Sequence, residues 1–384
     1  MNSIQILEKL ISFDTVSSNS NLELLSFCEK LLKDASAEIT LIKNKEGTKG
    51  NLFATIGPSD KPGIILSGHT DVVPVKEQTW ATNPFKLTEK NNKLYGRGTA
   101  DMKSFIACAL HTAIKGSSMT LTTPLHFAFS YDEEIGCVGV RSLIDMLKEA
   151  PFNPLFCIIG EPTSMQVAAG HKGKVNASVK IKGKEAHSAL APNGLNSIYL
   201  ATNLINEIQN IQSNIMNNSQ HDEDYEVPYT TLQVGKIEGG VAVNIVPSSS
   251  SFLFEIRNLF DDDPELILQK LKNKANDIVK SHISKFPDTQ IEIKTINQYP
   301  SLNTSKNAGV INFIKSLTGN NSVGKVSFGT EGGIFSKELD LETAICGPGS
   351  MEQGHKPDEY IEKSQINLCD QMLDNLLEKL RFGI

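Results

Sequence analysis

Apolar residues recur at helical spacing over residues 4–11 and 22–34, so two amphipathic helices are predicted near the start of the chain. The period then changes. Residues 51–56 (NLFATI) and 63–67 (GIILS) read as strands, the second apolar throughout, as a strand covered on both faces would be. Residues 101–115 (DMKSFIACALHTAIK) read as a helix entered from a glycine-rich loop, and 125–130 (LHFAFS) as a strand. Residues 141–150 read as a helix that Pro151 ends, and 156–159 (FCII) as a strand running into Gly160. Strands and helices in alternation predict an α/β layer architecture.

The pattern shifts near residue 174. Residues 174–182 (KVNASVKIK) alternate small or apolar with polar, which suits a sheet with one wet face. A helix at 197–209, strands at 231–237 and 251–258, a helix at 264–282 and a strand at 290–295 follow. Strand–helix–strand–strand–helix–strand is the order of the ferredoxin-like plan. A smaller α+β domain over 175–296 is therefore expected inside a larger α/β domain built from 1–174 and 297–384. The larger domain resumes with a helix at 308–318, a short strand at 343–346 and a closing amphipathic helix at 364–381. Residues 209–231, rich in Asn and Gln and containing His221, are expected to form a solvated loop.

Composition changes the picture mainly by exclusion. A chain of 384 residues is too long for one compact core, in keeping with two domains. Its 39% hydrophobic and 21% charged residues are those of a soluble globular protein. Lys and Arg total 37 against 44 Asp and Glu, a net charge of −7, and no basic run offsets it. Neither nucleic acid nor an anionic membrane is expected as a partner. The start, MNSIQILEKLISFDTVSS, has no cationic region followed by a long apolar stretch, so no secretory signal is expected, and no apolar run is long enough to cross a bilayer. Six cysteines (Cys28, Cys108, Cys137, Cys157, Cys346, Cys369) lack CxxC spacing and read as reduced, mostly buried thiols. A cytoplasmic protein is the expectation.

Candidate chemistry sits at strand ends. In SGHTDVVP, His69 and Asp71 are two apart and on a strand face the same side, as a metal-binding imidazole and its orienting carboxylate would, or as a structural pair. In GRGTADMKS, Asp101 is either the N-cap of the following helix or a carboxylate free to bridge two cations. In DEEIG, after the strand LHFAFS, Glu133 and Glu134 stand where α/β sheets place ligands, although adjacent like charges also mark solvated turns. Glu161 in GEPT follows another apolar strand, and His355 lies in GHKP. The charges balance as a set. Two Zn²⁺ bring +4, Asp101, Glu134 and Glu161 bring −3, and a bridging hydroxide brings −1, which avoids the cost of buried unpaired ions. Glu133 is left over as a general base.

With these segments in view, the chain resembles the M20 family of dinuclear zinc amidohydrolases and peptidases. GHTDVVP, YGRGTADMKS, EEIG, GEPT and GHKP stand in that family's order and spacing, and the resemblance spans essentially the whole chain. It implies a zinc-peptidase-like catalytic domain with a mixed sheet flanked by helices, and a ferredoxin-like α+β lid that carries dimerisation. It implies two Zn²⁺ per subunit, replaceable by Co²⁺: His69 and Glu161 on one, Glu134 and His355 on the other, Asp101 on both. Glu133 matches the general base and Asp71 the support of His69. His187, in KGKEAHSA, matches a lid histidine that stabilises the oxyanion in a neighbouring subunit, which implies a homodimer. Asn244 and Arg257 match contacts to a substrate carboxylate, while the residue pattern alone leaves Arg257 equally open as a surface cation. Thr330 and Gly329 are placed near the scissile amide of a small N-acyl amino acid substrate. His111, His126, His171, His221 and His282 match no ligand position.

Overall fold

The apolar stripes of the first residues become α1 (Ser3–Ser12) and α2 (Leu22–Asp34). The Asn2 side chain caps α1 reciprocally with Gln5, so orphan donors at that helix start are paired. There follow β1 (Glu38–Lys43), β2 (Gly50–Ile56), β3 (Ile64–His69), β4 (Thr88–Lys90), β5 (Lys93–Tyr95), α3 (Lys103–Gly116), β6 (Leu125–Ser130), α4 (Val140–Lys148), β7 (Phe156–Pro162) and β8 (Val167–His171). A middle run holds β9 (Lys174–Lys182), a 3₁₀ turn (Ser188–Asn193), α5 (Ser197–Asn218), β10 (Thr231–Gly239), β11 (Ser249–Arg257), α6 (Pro264–His282) and β12 (Gln290–Tyr299). The last run is β13 (Leu302–Asn303), α7 (Gly309–Thr318), β14 (Val323–Val326), α8 (Gly332–Leu339), β15 (Thr343–Gly347), β16 (Tyr360–Glu362) and α9 (Lys363–Phe382). This computed structural model describes residues 1–151 and 153–384. It divides into two compact units, Met1–His171 with Leu302–Ile384, and Lys172–Ser301.

The first unit is built on a mixed sheet in the order β1-β2-β6-β3-β7-β15-β8-β13, with β14 paired to β8. At its centre β6, β3, β7 and β15 run parallel, while β1, β2 and β13 pair antiparallel. Every residue of β2, β3 and β6 is buried, because helices cover the sheet. The core joins α1, α2, α3, α7 and α9 to the sheet through Leu7, Leu24, Phe105, Leu110, Ile314 and Leu377. Register decides where chemistry can appear. His69 pairs with Ser130, and Ser67 with Ile159, so β3, β6 and β7 end at one edge of the sheet. Carboxyl ends of parallel strands are where such sheets bind ligands.

The second unit is a four-stranded antiparallel sheet in the order β10-β11-β9-β12, with α5 and α6 packed on it. Its chain order, β-α-β-β-α-β, is the ferredoxin-like plan. Here the expectation for residues 209–231 is corrected. α5 runs to Asn218, because Ile211 and Ile215 continue the buried face of Leu204 and Ile208 at helical spacing. Only the later part is irregular, and it is held by Lys172, whose Nζ donates to the carbonyls of Val227 and Tyr229 at 2.8 and 2.7 Å. β12 also runs past residue 295 to Tyr299, across a bulge between Thr295 and Asn297.

All six cysteines are free thiols and buried. Among the described residues no helix is long and apolar enough to cross a membrane.

Candidate metal centre

Five chain segments, those of His69, Asp101, Glu133 and Glu134, Glu161, and His355, bring their side chains to the edge where β3, β6 and β7 end. β3 ends on His69 and β7 holds Glu161, both nearly fully buried. Gly160 makes Glu161's position possible: a Cβ there would lie 1.9 Å from the Phe105 ring. Glu133 and Glu134 follow β6 in a tight turn closed by the Gly136 and Cys137 amides donating to the Glu133 carbonyl. Asp101 precedes α3, whose N-cap is Met102 with no side-chain cap, so the capping reading of Asp101 is set aside. The reason is visible in its carboxylate, which is used elsewhere.

Asp101 Oδ1 lies 2.9 Å from His69 Nε2, and Oδ2 lies 3.1 Å from His355 Nε2. His355 Nε2 is also 3.1 Å from Glu134 Oε2, and His69 Nε2 is 3.5 Å from Glu161 Oε1. Two groups have ligand atoms close enough to hold a metal ion: His69, Glu133 and Glu161, and His69, Asp101 and Glu134. The donor set, imidazole nitrogen with carboxylate oxygen, suits Zn²⁺ and its neighbours. Glu134 Oε1 is buried, and none of the described residues gives it a hydrogen bond. Such an atom fits a metal ligand better than a structural acid.

Asp71 supports His69, though not chiefly through its carboxylate. His69 Nδ1 is 2.9 Å from the main-chain carbonyl of Asp71 and 3.6 Å from Oδ1. That carboxylate instead accepts from Ser17 Oγ at 2.7 Å and from the Glu133 and Glu134 amides at 3.1 and 3.3 Å. Asp71 thus holds the imidazole with its backbone and the glutamate pair with its side chain. Asp132 pairs instead with Lys49 at 2.6 Å and belongs to neither metal-type group.

Crowded acids out of water shift one another. Burial, then repulsion from neighbouring carboxylates, pushes Glu133 up to about 8 and Glu134 to about 7, and raises Glu161 well above the usual range. Hydrogen bonds to Asp101 and Glu134 push His355 up to about 10. Burial opposes charge on His69, but hydrogen bonds to Asp101 and Asp71 and the nearby Glu161 hold it well above the ordinary value. Burial likewise opposes charge on Asp101, and the two imidazoles hold it low. The cluster carries more acids than the described cations around it balance, which is the electrostatics a divalent cation would relieve.

The remaining expected site residues are placed as follows. Thr330 is buried in the first unit, and its Oγ1 accepts from the Gly332 amide at 2.9 Å at the start of α8. His187, Asn244 and Arg257 belong to the second unit. His187 is exposed, its Nδ1 accepts from the Ala189 amide at 3.1 Å, and the next residue's amide donates to the Asn244 carbonyl at 3.0 Å. Arg257 already has a carboxylate partner, Glu255, at 3.2 Å, and its Nη1 donates to Tyr299 Oη at 3.0 Å.

Three residues near the cluster escaped the sequence reading. Cys137 donates its thiol to Glu133 Oε1 at 3.3 Å. Glu331 is buried behind the strand ends, accepts from Ser130 Oγ at 2.5 Å, and is pushed by burial up to about 7. Lys103 is fully buried, donates to the Leu10 and Phe13 carbonyls, and is depressed by burial to about 7. Cys137 lies one turn from Glu133, Lys103 sits inside GRGTADMKS, and Glu331 follows Thr330 in FGTEGGIF, so a local signal was available for all three.

Fold and cluster together define a class: a metal-dependent hydrolase on a mixed α/β sheet. The chain belongs to peptidase family M20/M25/M40, whose profile matches residues 65–379. It is 32% identical over 373 residues to a protein of Myxococcus xanthus named acetylornithine deacetylase, covering 96% of this chain and 94% of the relative. A protein of Aliivibrio fischeri with the same name is 31% identical over 379 residues, with 97% of each covered. Among solved structures, an M20 family metallo-carboxypeptidase from Sulfolobus solfataricus superposes with a TM-score of 0.79 at 17% identity over the whole of both chains.

Proposed function

We propose that the protein hydrolyses N-acetyl-L-ornithine to L-ornithine and acetate, a step of arginine biosynthesis, as a cytoplasmic homodimer whose larger domain is catalytic and whose smaller domain is a lid. One observation carries the hydrolytic part: two imidazoles, Asp101, Glu133, Glu134 and Glu161 converge at one sheet edge, with Glu134 Oε1 buried and unpartnered. The substrate is supported by full-length similarity to the acetylornithine deacetylases. It is also supported by the segments GHKGKVNASVKIKGKEAHSA, LQVGKIEGGVAVNIVP, FGTEGGIF and CGPGSMEQGHKPDEYI, which resemble theirs.

In this reading His69 and Glu161 would hold one Zn²⁺ and Glu134 and His355 the other, Asp101 would serve both, and Co²⁺ would be an effective substitute. Bound there, the metals would supply Lewis acidity, lowering the pKa of a water and polarising the scissile carbonyl. Glu133 takes the proton of the attacking water and delivers it to the leaving nitrogen. Its raised pKa suits a group that must hold that proton between the two steps. Asp71 fixes His69 and the Glu133–Glu134 backbone, so ligand and base keep one geometry. His187 stabilises the oxyanion. Asn244 and Arg257 bind the substrate α-carboxylate, for which a guanidinium fork is suited, and Thr330 borders the amide.

The test is turnover of zinc-loaded protein on N-acetyl-L-ornithine and N-succinyl-diaminopimelate, with a chelated control. Chelator-sensitive preference for the acetyl compound is expected. Preference for the succinyl compound overturns the substrate and keeps the hydrolase. No turnover on these or other N-acyl amino acids or dipeptides overturns the catalytic reading in favour of a metal-stabilised binding protein. Replacing Glu133 by Gln should leave zinc content unchanged and cut kcat by about 10²-fold or more. Near-normal turnover in that variant removes Glu133 from the mechanism.

A further inference from the structure

Arg97 and Glu359 form an ion pair almost wholly out of water, each 1% exposed, with Nη1 2.5 Å from Oε2. Neither belongs to the metal-type groups. A buried ion pair is a weak source of stability, because desolvation offsets most of its attraction. What this pair holds at its two ends is more informative.

At one end, Glu359 Oε1 accepts from three amides of a single turn: Gly98 at 3.1 Å, Ala100 at 2.8 Å and Asp101 at 3.1 Å. That turn projects Asp101, and Gly98 enters it at a φ of +87°, where a side chain is strained. At the other end, Arg97 Nη1 donates to the Lys356 carbonyl at 3.4 Å, and Nη2 to Gln78 Oε1 at 2.8 Å. Gln78 Nε2 in turn donates to the His355 carbonyl at 3.0 Å. Trp80 Nε1 donates to the same Gln78 oxygen at 3.2 Å, with its ring 5.1 Å from the guanidinium.

His355 has need of such support. Its side chain is 49% exposed and its φ is +61°, so apolar packing does not fix it and its backbone is strained. Yet its Nε2 meets Asp101 Oδ2 and Glu134 Oε2 at 3.1 Å each. We infer that Glu359, Arg97 and Gln78 are positioning residues: through one buried ion pair they set the Asp101 turn and the His355 loop relative to each other, and so hold His355 on the metal centre. The inference rests on the proposed assignment of Asp101 and His355 as ligands.

Two variants test it in the full-length protein. Gln78→Met keeps the side chain's length at a partly exposed position and removes the donor to His355 and the acceptor for Arg97. Glu359→Gln keeps an oxygen for the three amides and removes the charge opposite Arg97. Release of each zinc ion to a chromophoric chelator, the unfolding temperature of the metal-free protein, and kcat with KM are measured. Expected for Gln78→Met is one zinc held about 10–100-fold more weakly and the other unchanged. Its kcat should fall by a similar factor at nearly constant KM, with an unaltered metal-free unfolding temperature. Glu359→Gln should weaken zinc in the same selective way. Wild-type retention of both zinc ions in both variants overturns the inference. So does equal loss of both with a lowered metal-free unfolding temperature, which marks a merely structural role. A wild-type protein that binds two zinc ions but turns over no N-acyl amino acid overturns the proposed reaction, while zinc release still decides this inference. A wild type holding fewer than two zinc ions overturns it.

Discussion

Glu133 and Glu134 are adjacent in the chain and opposite in surroundings. Glu133 faces a buried thiol, while Glu134 faces an exposed imidazole and keeps one oxygen unpaired among the described residues. With values near 8 and 7, Glu133 is mostly and Glu134 about half protonated in neutral solution before metal enters. Metal must displace the proton of Glu134 and those of the His355 and His69 imidazoles, so zinc affinity should fall as pH falls from 8 to 6. Calorimetric zinc titrations at pH 7 in buffers of different ionisation enthalpy should reveal net proton release. Identical heats in all buffers would show the ligand carboxylates and imidazoles already free of protons. His126 titrates with the opposite consequence. Burial lowers it from 6.5 to about 4, with Nδ1 against Thr55 Oγ1 at 2.9 Å and its ring stacked on Phe53. The unfolded chain therefore takes up the proton first, and stability falls as pH falls from 6.5 to 4, by roughly 3 kcal/mol at most. Denaturant unfolding at pH 7.5 and 4.5 should lose less stability in His126→Gln than in the wild type. Equal losses would mean His126 is already charged when folded. At this scale the donor types and their order were legible, because a strand end and a short motif put them in plain sequence. The hydrogen-bonding atom was not: Asp71 was expected to use its carboxylate on His69 and uses its carbonyl, a choice made by the turn after β3.

Among elements, the long apolar runs were the readable ones. β6 and α6 begin and end where the pattern places them, since each exposes a strand or helix period long enough to identify. β1, β4, β5, β8, β13, β14, β16 and α8 were not read, being short, or polar at an edge, or carried by pairing with distant strands. α3 starts two residues later than expected because Asp101 is drawn out of the helix by His69 and His355. Close packing of α3 on β7 yields a direct test. Gly160→Ala puts a Cβ 1.9 Å from the Phe105 ring, so the strand or the ring must move, at a cost of about 1–3 kcal/mol. Thermal melts should show a lowered midpoint together with weaker zinc binding, since Glu161 is the next residue. An unchanged midpoint would mean the ring yields freely.

The whole molecule is two units with separate apolar clusters. That of Lys172–Ser301 is built from residues such as Val179, Leu204, Phe254 and Leu271, all within the unit. Residues 172–301 expressed alone should therefore unfold cooperatively with mixed α and β circular dichroism. A non-cooperative, dye-binding product would show that this cluster is insufficient. The joins lie at 171/172 and 301/302, three residues before and five after the expected ones, because β9 and β12 carry their pairing to Lys174 and Tyr299.

By itself the sequence determined the periods of the long helices and strands, the α/β character, the inserted α+β order and the candidate metal-binding side chains. These are local properties, written in spacing and in the chemistry of single residues. Only the tertiary structure decided which strands run parallel to a common edge, how His69 and His355 come to share Asp101 across 254 positions of chain from Asp101 to His355, and that an ion pair at Arg97 and Glu359 lies between the Asp101 turn and the His355 loop. Such meetings depend on strand register and on polar groups finding partners away from water, and neither is encoded at any one stretch of the chain.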